Sequence, residues 1–292
     1  MPSLFMFFVA FFPTWIKPLQ DAAPLPIANH EWFTIHCQAS PDEAVFNEKI
    51  KIAAQQNTLV EKALAVGLSF KGTPYEHGTL DGFEPEGLVV NLRQLDCWTF
   101  VENSVAIALC AHRSQTNFAD YQSQLQQLRY WGGTIDGFGS RIHYFTGWIL
   151  QQGKRGILQD VTQALGGVPY QKTTNYITAH PIYYPQLEDA TVKENLKKAE
   201  KRVQDHDWYY IPKKKVAKME QFIHEGDIVA TTSSRADLDI SHQGFAVRIK
   251  GRIHLLHASS VHKKVIVSAL PLAEYLARNP GQSGILVARL FD

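Results

Sequence analysis

The sequence predicts an α+β fold with helices first and strands last. Apolar positions recur at helical spacing in several stretches up to about residue 203, and after Gly226 the chain changes to short β-branched runs. Its 292 residues, 45% hydrophobic and 20% charged, hold enough apolar material for one large core or two lobes.

The first sixteen residues, MPSLFMFFVAFFPTWI, are an apolar run long enough for the core of a signal peptide. The run is shorter than the roughly 20 residues of a spanning helix, so a stable membrane span is not expected. No Lys or Arg precedes it, and a buried amino-terminal segment is the alternative. Export, with cleavage near Ala22-Ala23, is the expectation. Asn47 to Gly67 has helical periodicity for one or two helices. A turn-rich stretch, FKGTPYEHGTLDGFEPEG, and the extended LVVNL come next, then LDCWTFVENSVAIALCAH, again helical. Cys97 therefore opens a helix. Asp96 can cap it; Thr99 with Glu102 makes a capping-box pattern that would start it later, and the two starts exclude one another.

Phe118, Tyr121, Leu125 and Leu128 mark the next helix face. The Gly-rich WGGTIDGFGSRIHYFTGWI reads as a loop entering a short helix, with Ser140 as its cap. Val192, Leu196, Ala199 and Val203, with lysines and glutamates between, form a solvated amphipathic helix, and Lys213 to Lys215 are its exposed neighbours. The strands are DIVATT, HQGFAVRI, RIHLLHA, KVIVSAL and GILVARL.

A formal charge of +1 leaves no electrostatic footprint for nucleic acid or an anionic membrane. Of the three cysteines, Cys37 and Cys110 can pair and leave Cys97 free, although spacing does not fix the pairing. Cys110 lies in the apolar run SVAIALCAH, where cysteine is usually a small hydrophobe. Cys97 is different, because a thiol at a helix amino terminus feels the positive end of the helix dipole, which lowers its pKa.

If Lys250 and Gly251 form a two-residue turn, cross-strand partners have numbers summing to 501, and His257 faces Gly244. Alternation then puts His242, Gly244 and Ala246 on one face with His257 and Ser259, while Phe245, Val247 and Ile249 take the other. The small Gly244 and Ala246 leave room on their face for the Cys97 helix. A base histidine oriented by a third polar group is the arrangement that activates a thiol against an amide. His242 is the candidate base and His257 the candidate orienter.

The segments GTPYEHGTL, EGLVVNLRQLDCWTFVEN, GFGSRIHYFTGWI, GDIVATT, LDISHQGFAV and HLLHASS, in this order over roughly residues 55 to 292, resemble the N-acetylmuramoyl-L-alanine amidase-like branch of the NlpC-type cysteine amidases. The resemblance implies a papain-like core. In it an amino-terminal helical lobe carries the nucleophile, and a carboxy-terminal antiparallel sheet or barrel carries the histidines. With the apolar run taken as a signal peptide over residues 1–25, residues 26–292 form one catalytic domain, with a mainly helical lobe and insertion over 26–220 and a β lobe over 221–292. Cys97, His242 and His257 match the catalytic positions, and Tyr75 matches a tyrosine beside the oxyanion. Arg141, His143 and Tyr144 match a stretch near the substrate cleft.

The implied substrates are peptidoglycan fragments of the GlcNAc-anhydroMurNAc-peptide type, cut between muramic acid and L-alanine. The implied enzyme is bacterial, exported to the periplasm or beyond, and without cofactor or metal; its oligomeric state is not fixed by the sequence, with a monomer favoured. Cleavage between D-glutamate and diaminopimelate by the same residues is the alternative. Two other classes compete. A zinc amidase would use His254, His257 and His262, but His254 and His257, three apart on a strand, point to opposite faces. A non-catalytic wall-binding protein would stack sugars on Trp131, Phe138, Tyr144 and Trp148, aromatics that more often serve a core.

Overall fold

The computed structural model describes residues 40–81 and 85–292. The proposed signal peptide and Cys37 lie outside them. Ser40 caps α1 (Pro41–Ala54) by accepting from the Glu43 N–H at 3.1 Å, and Thr58 and Glu61 make a reciprocal capping box for α2 (Leu59–Ser69). The periodic stretch at 47–67 is thus two helices, broken where Thr58 caps the second. They pack with α3 (Cys97–His112), α4 (Phe118–Arg129) and α5 (Phe145–Lys154).

The chain then makes β1 (Leu158–Asp160), β2 (Val168–Pro169), the single turn α6 (Tyr176–Ala179), α7 (Ala190–Gln204), β3 (Tyr209–Pro212) and the single turn α8 (Val216–Met219). β4 (Ile228–Ser233), β5 (Ile240–Ile249), β6 (Arg252–Ser259), β7 (Lys264–Val267), α9 (Leu272–Ala277) and β8 (Gln282–Leu290) complete it. The strands form one antiparallel sheet in the order β2-β3-β8-β4-β5-β6-β7, with β1 also on β8.

The order is therefore mixed rather than strictly helices then strands. β1, β2 and β3 come from the stretch expected to be helical, but each is too short to show a period and is held by pairing with β8 or a neighbouring strand. The sheet is covered on both faces, so all six residues of β4 are buried and its alternation is hidden. On one face Phe100 of α3 meets Phe245 edge-on at 5.7 Å, and Phe70 and Phe46 extend that core. On the other, Val229, Ala246, Leu255 and Val287 pack against Leu272 and Leu276 of α9. Phe138, Tyr144, Ile177, Leu187 and Leu196 make a smaller core within the insertion.

The β5–β6 turn forms as its sequence predicts. Lys250 and Gly251 have φ of 50° and 82°, the double positive φ of a type I′ turn, and the register runs from Ile249–Arg252 to Phe245–Leu256. Ser140 does not cap α5. Its hydroxyl accepts from the Asp136 N–H and donates to the Gly137 carbonyl within the loop. Instead a carboxylate from far along the chain serves the helix start: Asp239 accepts from the Thr146 N–H at 2.9 Å and the Thr146 hydroxyl at 2.8 Å.

Candidate active site

The helix start at Cys97 is decided by Asp96. Its carboxylate accepts from the Thr99 N–H at 2.8 Å, and its own N–H donates to the Thr99 hydroxyl at 3.0 Å. Glu102 is buried and paired with Arg129 at 2.7 Å, so it takes no part in a cap. Cys97 is the first residue of α3.

α3 docks on the Phe245 face of the hairpin, not on the Gly244–Ala246 face expected from side-chain size. Gly244 is small for a different reason. A Cβ there would lie 2.3 Å from the Leu256 carbonyl oxygen and 3.0 Å from the His257 Cβ, so the glycine lets β6 and His257 close onto β5. The sulfur reaches the hairpin at its edge. The Ala246 N–H donates to Asp227 on the β4 side, so by alternation the Gln243 N–H faces the β6 side, beyond the last β5–β6 pair. There it lies against the Cys97 thiol together with the N–H groups of Cys97 and Trp98. The Gln243 side chain ties down the same helix end by donating to the Cys97 carbonyl at 3.2 Å.

His242 and His257 meet as the register predicts, with His242 Nε2 2.6 Å from His257 Nδ1. This leaves Nδ1 of His242 unengaged. For it to accept a proton, His242 must carry its hydrogen on Nε2 and donate to His257 Nδ1. Burial holds His242 down to about 4; burial first, then the nearby His242 and His262, hold His257 down to about 3. Burial and then the Asp96 carboxylate push the Cys97 thiol up to about 12, against the three backbone N–H groups that favour the thiolate. The expected lowering by the helix dipole is thus outweighed by desolvation. Both shifts favour the neutral forms of the thiol and the imidazole.

Tyr75 adjoins the helix start, since it bridges Leu95 and the Glu76 N–H donates to the Leu95 carbonyl. Burial, then the Cys97 and Asp96 charges, raise its hydroxyl to about 12, so it stays a donor. Arg141 and His143 line a cavity of about 160 Å³ with Asp96 and Trp98. Arg141 is buried and faces the carboxylates of Asp81 and Glu86, each at 3.4 Å. His143 is hydrogen-bonded through Nε2 to the Phe138 carbonyl, and burial and then Arg141 keep it down to about 3. Tyr144 is set apart from these. Its hydroxyl donates to Glu200 and accepts from the Ile177 N–H, and its ring belongs to the insertion core, so its one donor is already engaged.

A larger cavity, about 690 Å³, is lined by His242 and His257 and takes in Tyr275, Arg278 and Gln282. Sequence patterns do not mark these three: Tyr275 lies on the short α9, Arg278 just after it, and Gln282 opens β8. Among the aromatics named for sugar stacking, Phe138, Tyr144 and Trp148 are buried in cores. His254 lies on the face of β6 opposite His257, with Nδ1 2.8 Å from the Ser268 carbonyl. No helix among the described residues is long and apolar enough to cross a membrane.

A family model described as AmiA-like, N-acetylmuramoyl-L-alanine amidase-like, matches residues 65–285. The chain belongs to this family. An N-acetylmuramoyl-L-alanine amidase from Bacteroides uniformis is 34% identical over 81% of this chain and 100% of its own, with a TM-score of 0.76. A Bacteroides fragilis structure named for a suspected xylanase is 38% identical over 76% of this chain and 98% of its own, with a TM-score of 0.70. A Legionella pneumophila protein, 20% identical with a TM-score of 0.65 over 86% of this chain and 94% of its own, shares the fold. No curated protein matches. The AmiA-like match spans α3 and the histidine hairpin, and with them the whole of the candidate site.

Proposed function

We propose that this AmiA-like protein is a papain-like, NlpC-type cysteine amidase that cuts the bond between muramic acid and L-alanine in GlcNAc-anhydroMurNAc-peptides. The observation that carries the reading is the 2.6 Å His242–His257 contact, with the next residue, Gln243, supplying one of the three backbone N–H groups that lie against the Cys97 thiol at a helix start. As Cys97 Sγ attacks the lactyl carbonyl, its proton passes to His242 Nδ1. The oxyanion accepts from the Cys97 N–H and the Tyr75 hydroxyl. His242 then gives the proton to the departing alanine nitrogen as the C–N bond breaks. Water, deprotonated by the same nitrogen, hydrolyses the thioester and restores the thiol. His257 acts through His242, holding its tautomer and ring plane while the imidazolium forms.

A neutral thiol and a neutral imidazole avoid a standing charge that desolvation disfavours, and the imidazolium exists only during the reaction. The apolar run at residues 1–16 fits an exported enzyme that meets its substrate outside the cytoplasm. Mass spectrometry of the products from GlcNAc-anhydroMurNAc-tetrapeptide tests the choice of bond. Free disaccharide with intact tetrapeptide is expected. Release of a piece ending in D-glutamate would move the cut to the glutamyl–diaminopimelate bond, and binding without turnover would make the protein a wall-binding module.

A further inference from the structure

His242 protonates the leaving nitrogen, so the part of the substrate that leaves as an amine lies on the histidine side of the sulfur. On that side is the 690 Å³ cavity, within the range of pockets that bind small ligands. Its described lining is almost wholly neutral: serines, small apolar groups and amides, with Arg278 as the one residue of fixed charge. Arg278 is exposed and belongs to no ion pair among the described residues. Glu274, one helical turn before it, is turned instead to Arg252. The same cavity is lined by Gln282, which is 8% exposed and whose Oε1 accepts no hydrogen bond. A buried amide oxygen without a donor is destabilising, and a ligand N–H would relieve it.

We propose that this cavity is the subsite for the leaving peptide, in which Arg278 pairs with the free carboxylate of the second stem residue and Gln282 Oε1 accepts from a peptide N–H. The assignment rests on the amidase reading and adds to it a specificity. A stem peptide whose second residue carries a carboxylate is accepted, and one whose carboxylate is amidated is disfavoured. The guanidinium fits because its planar fork can hold both carboxylate oxygens at once, which a primary amide cannot reproduce.

Calorimetry of the Cys97→Ala protein with two sugar-free tripeptides, L-Ala-γ-D-Glu-diaminopimelate and its D-isoglutamine counterpart, tests this without turnover. The acid is expected to bind about 10–100-fold tighter than the amide, the factor for one charge-assisted pair. In Cys97→Ala/Arg278→Ala the gap should close to within about threefold, and Cys97→Ala/Arg278→Lys should recover part of it. Arg278 is exposed, so folding of these variants is not at issue. Equal binding of acid and amide, a gap that survives Arg278→Ala, or no binding of either tripeptide would overturn the subsite. Cleavage of the disaccharide-tripeptide by the unmodified protein, measured beside it, separates a failed subsite from a failed amidase reading.

Discussion

The cysteine helix and the histidine hairpin meet at one site, but they are held there in different ways. The hairpin has two distinct faces, and a one-residue slip would exchange Phe245 for Gly244 in the helical core, so its register is fixed by packing as well as by the Lys250–Gly251 turn. α3 has no such sidedness. From Thr99 to Cys110 every residue is buried, and the helix is surrounded by α1, α2, α4 and the sheet. An element buried all round is placed by its neighbours, and its own pattern does not say which way it faces.

The contrast can be tested by breaking each side. Cys97→Ala is expected to lower muropeptide turnover at least ~10⁴-fold, because a nucleophile has no substitute in such a site. Its melting temperature should stay close to that of the parent, since the thiol makes no packing contact comparable to Phe100. A melting point that falls with the activity would assign Cys97 a structural role. Phe100→Ala should do the reverse, costing about 3–5 kcal/mol of stability by opening a cavity against Phe245 and Phe70. Denaturant unfolding of this variant showing less than about 1 kcal/mol would mean that α3 is not anchored through that face.

His257→Ala should reduce kcat by about 10–100-fold, less than His242→Ala, because water can replace part of what an orienter does. It also sharpens a prediction about pH. Both histidines are held below the unfolded value of about 6.5, so the unfolded chain binds more protons in acid. Their contribution to stability is full above about pH 6.5 and is lost as pH falls towards about 4. Melting curves at several pH values should show this loss, and His257→Ala should flatten it. An unchanged slope would mean that His257 is not buried in its neutral form. The smallest effect is expected from Asp96→Ala, which removes a cap worth about 1 kcal/mol. An activity loss far larger than the stability loss would mean that Asp96 does more than start the helix.

Much of this geometry is legible in the sequence wherever local rules are strong. The type I′ turn and strand alternation are enough to bring His242 to His257. The helix start at Cys97 was legible as two competing caps, and the burial of Glu102 against Arg129 decides between them. What stayed hidden depends on partners remote in sequence. The docking face of α3, the rise of the Cys97 pKa by burial, the engaged hydroxyl of Tyr144 and the cap on α5 all come from tertiary contacts. Tyr275 and Arg278 reach the site from a helix of six residues and its cap, too short to carry a period, and Gln282 from the first position of β8. The expectation that the aromatics of the Gly-rich stretch serve a core holds for Phe138, Tyr144 and Trp148, which are buried.

Asp239 ties together pieces of chain that are far apart in synthesis. Its carboxylate holds Thr146, 93 residues earlier, its carbonyl accepts from the Tyr170 hydroxyl, 69 residues earlier, and also from the Ser233 N–H, and His242 follows three positions later. Contacts of such long range form after local helices and hairpins, because loop closure must be met first. His242 is therefore expected to be fixed in place after the insertion has folded, and a chain cut short before β5 carries the cysteine helix without the histidine pair. On the mechanism proposed above, such a fragment is inert.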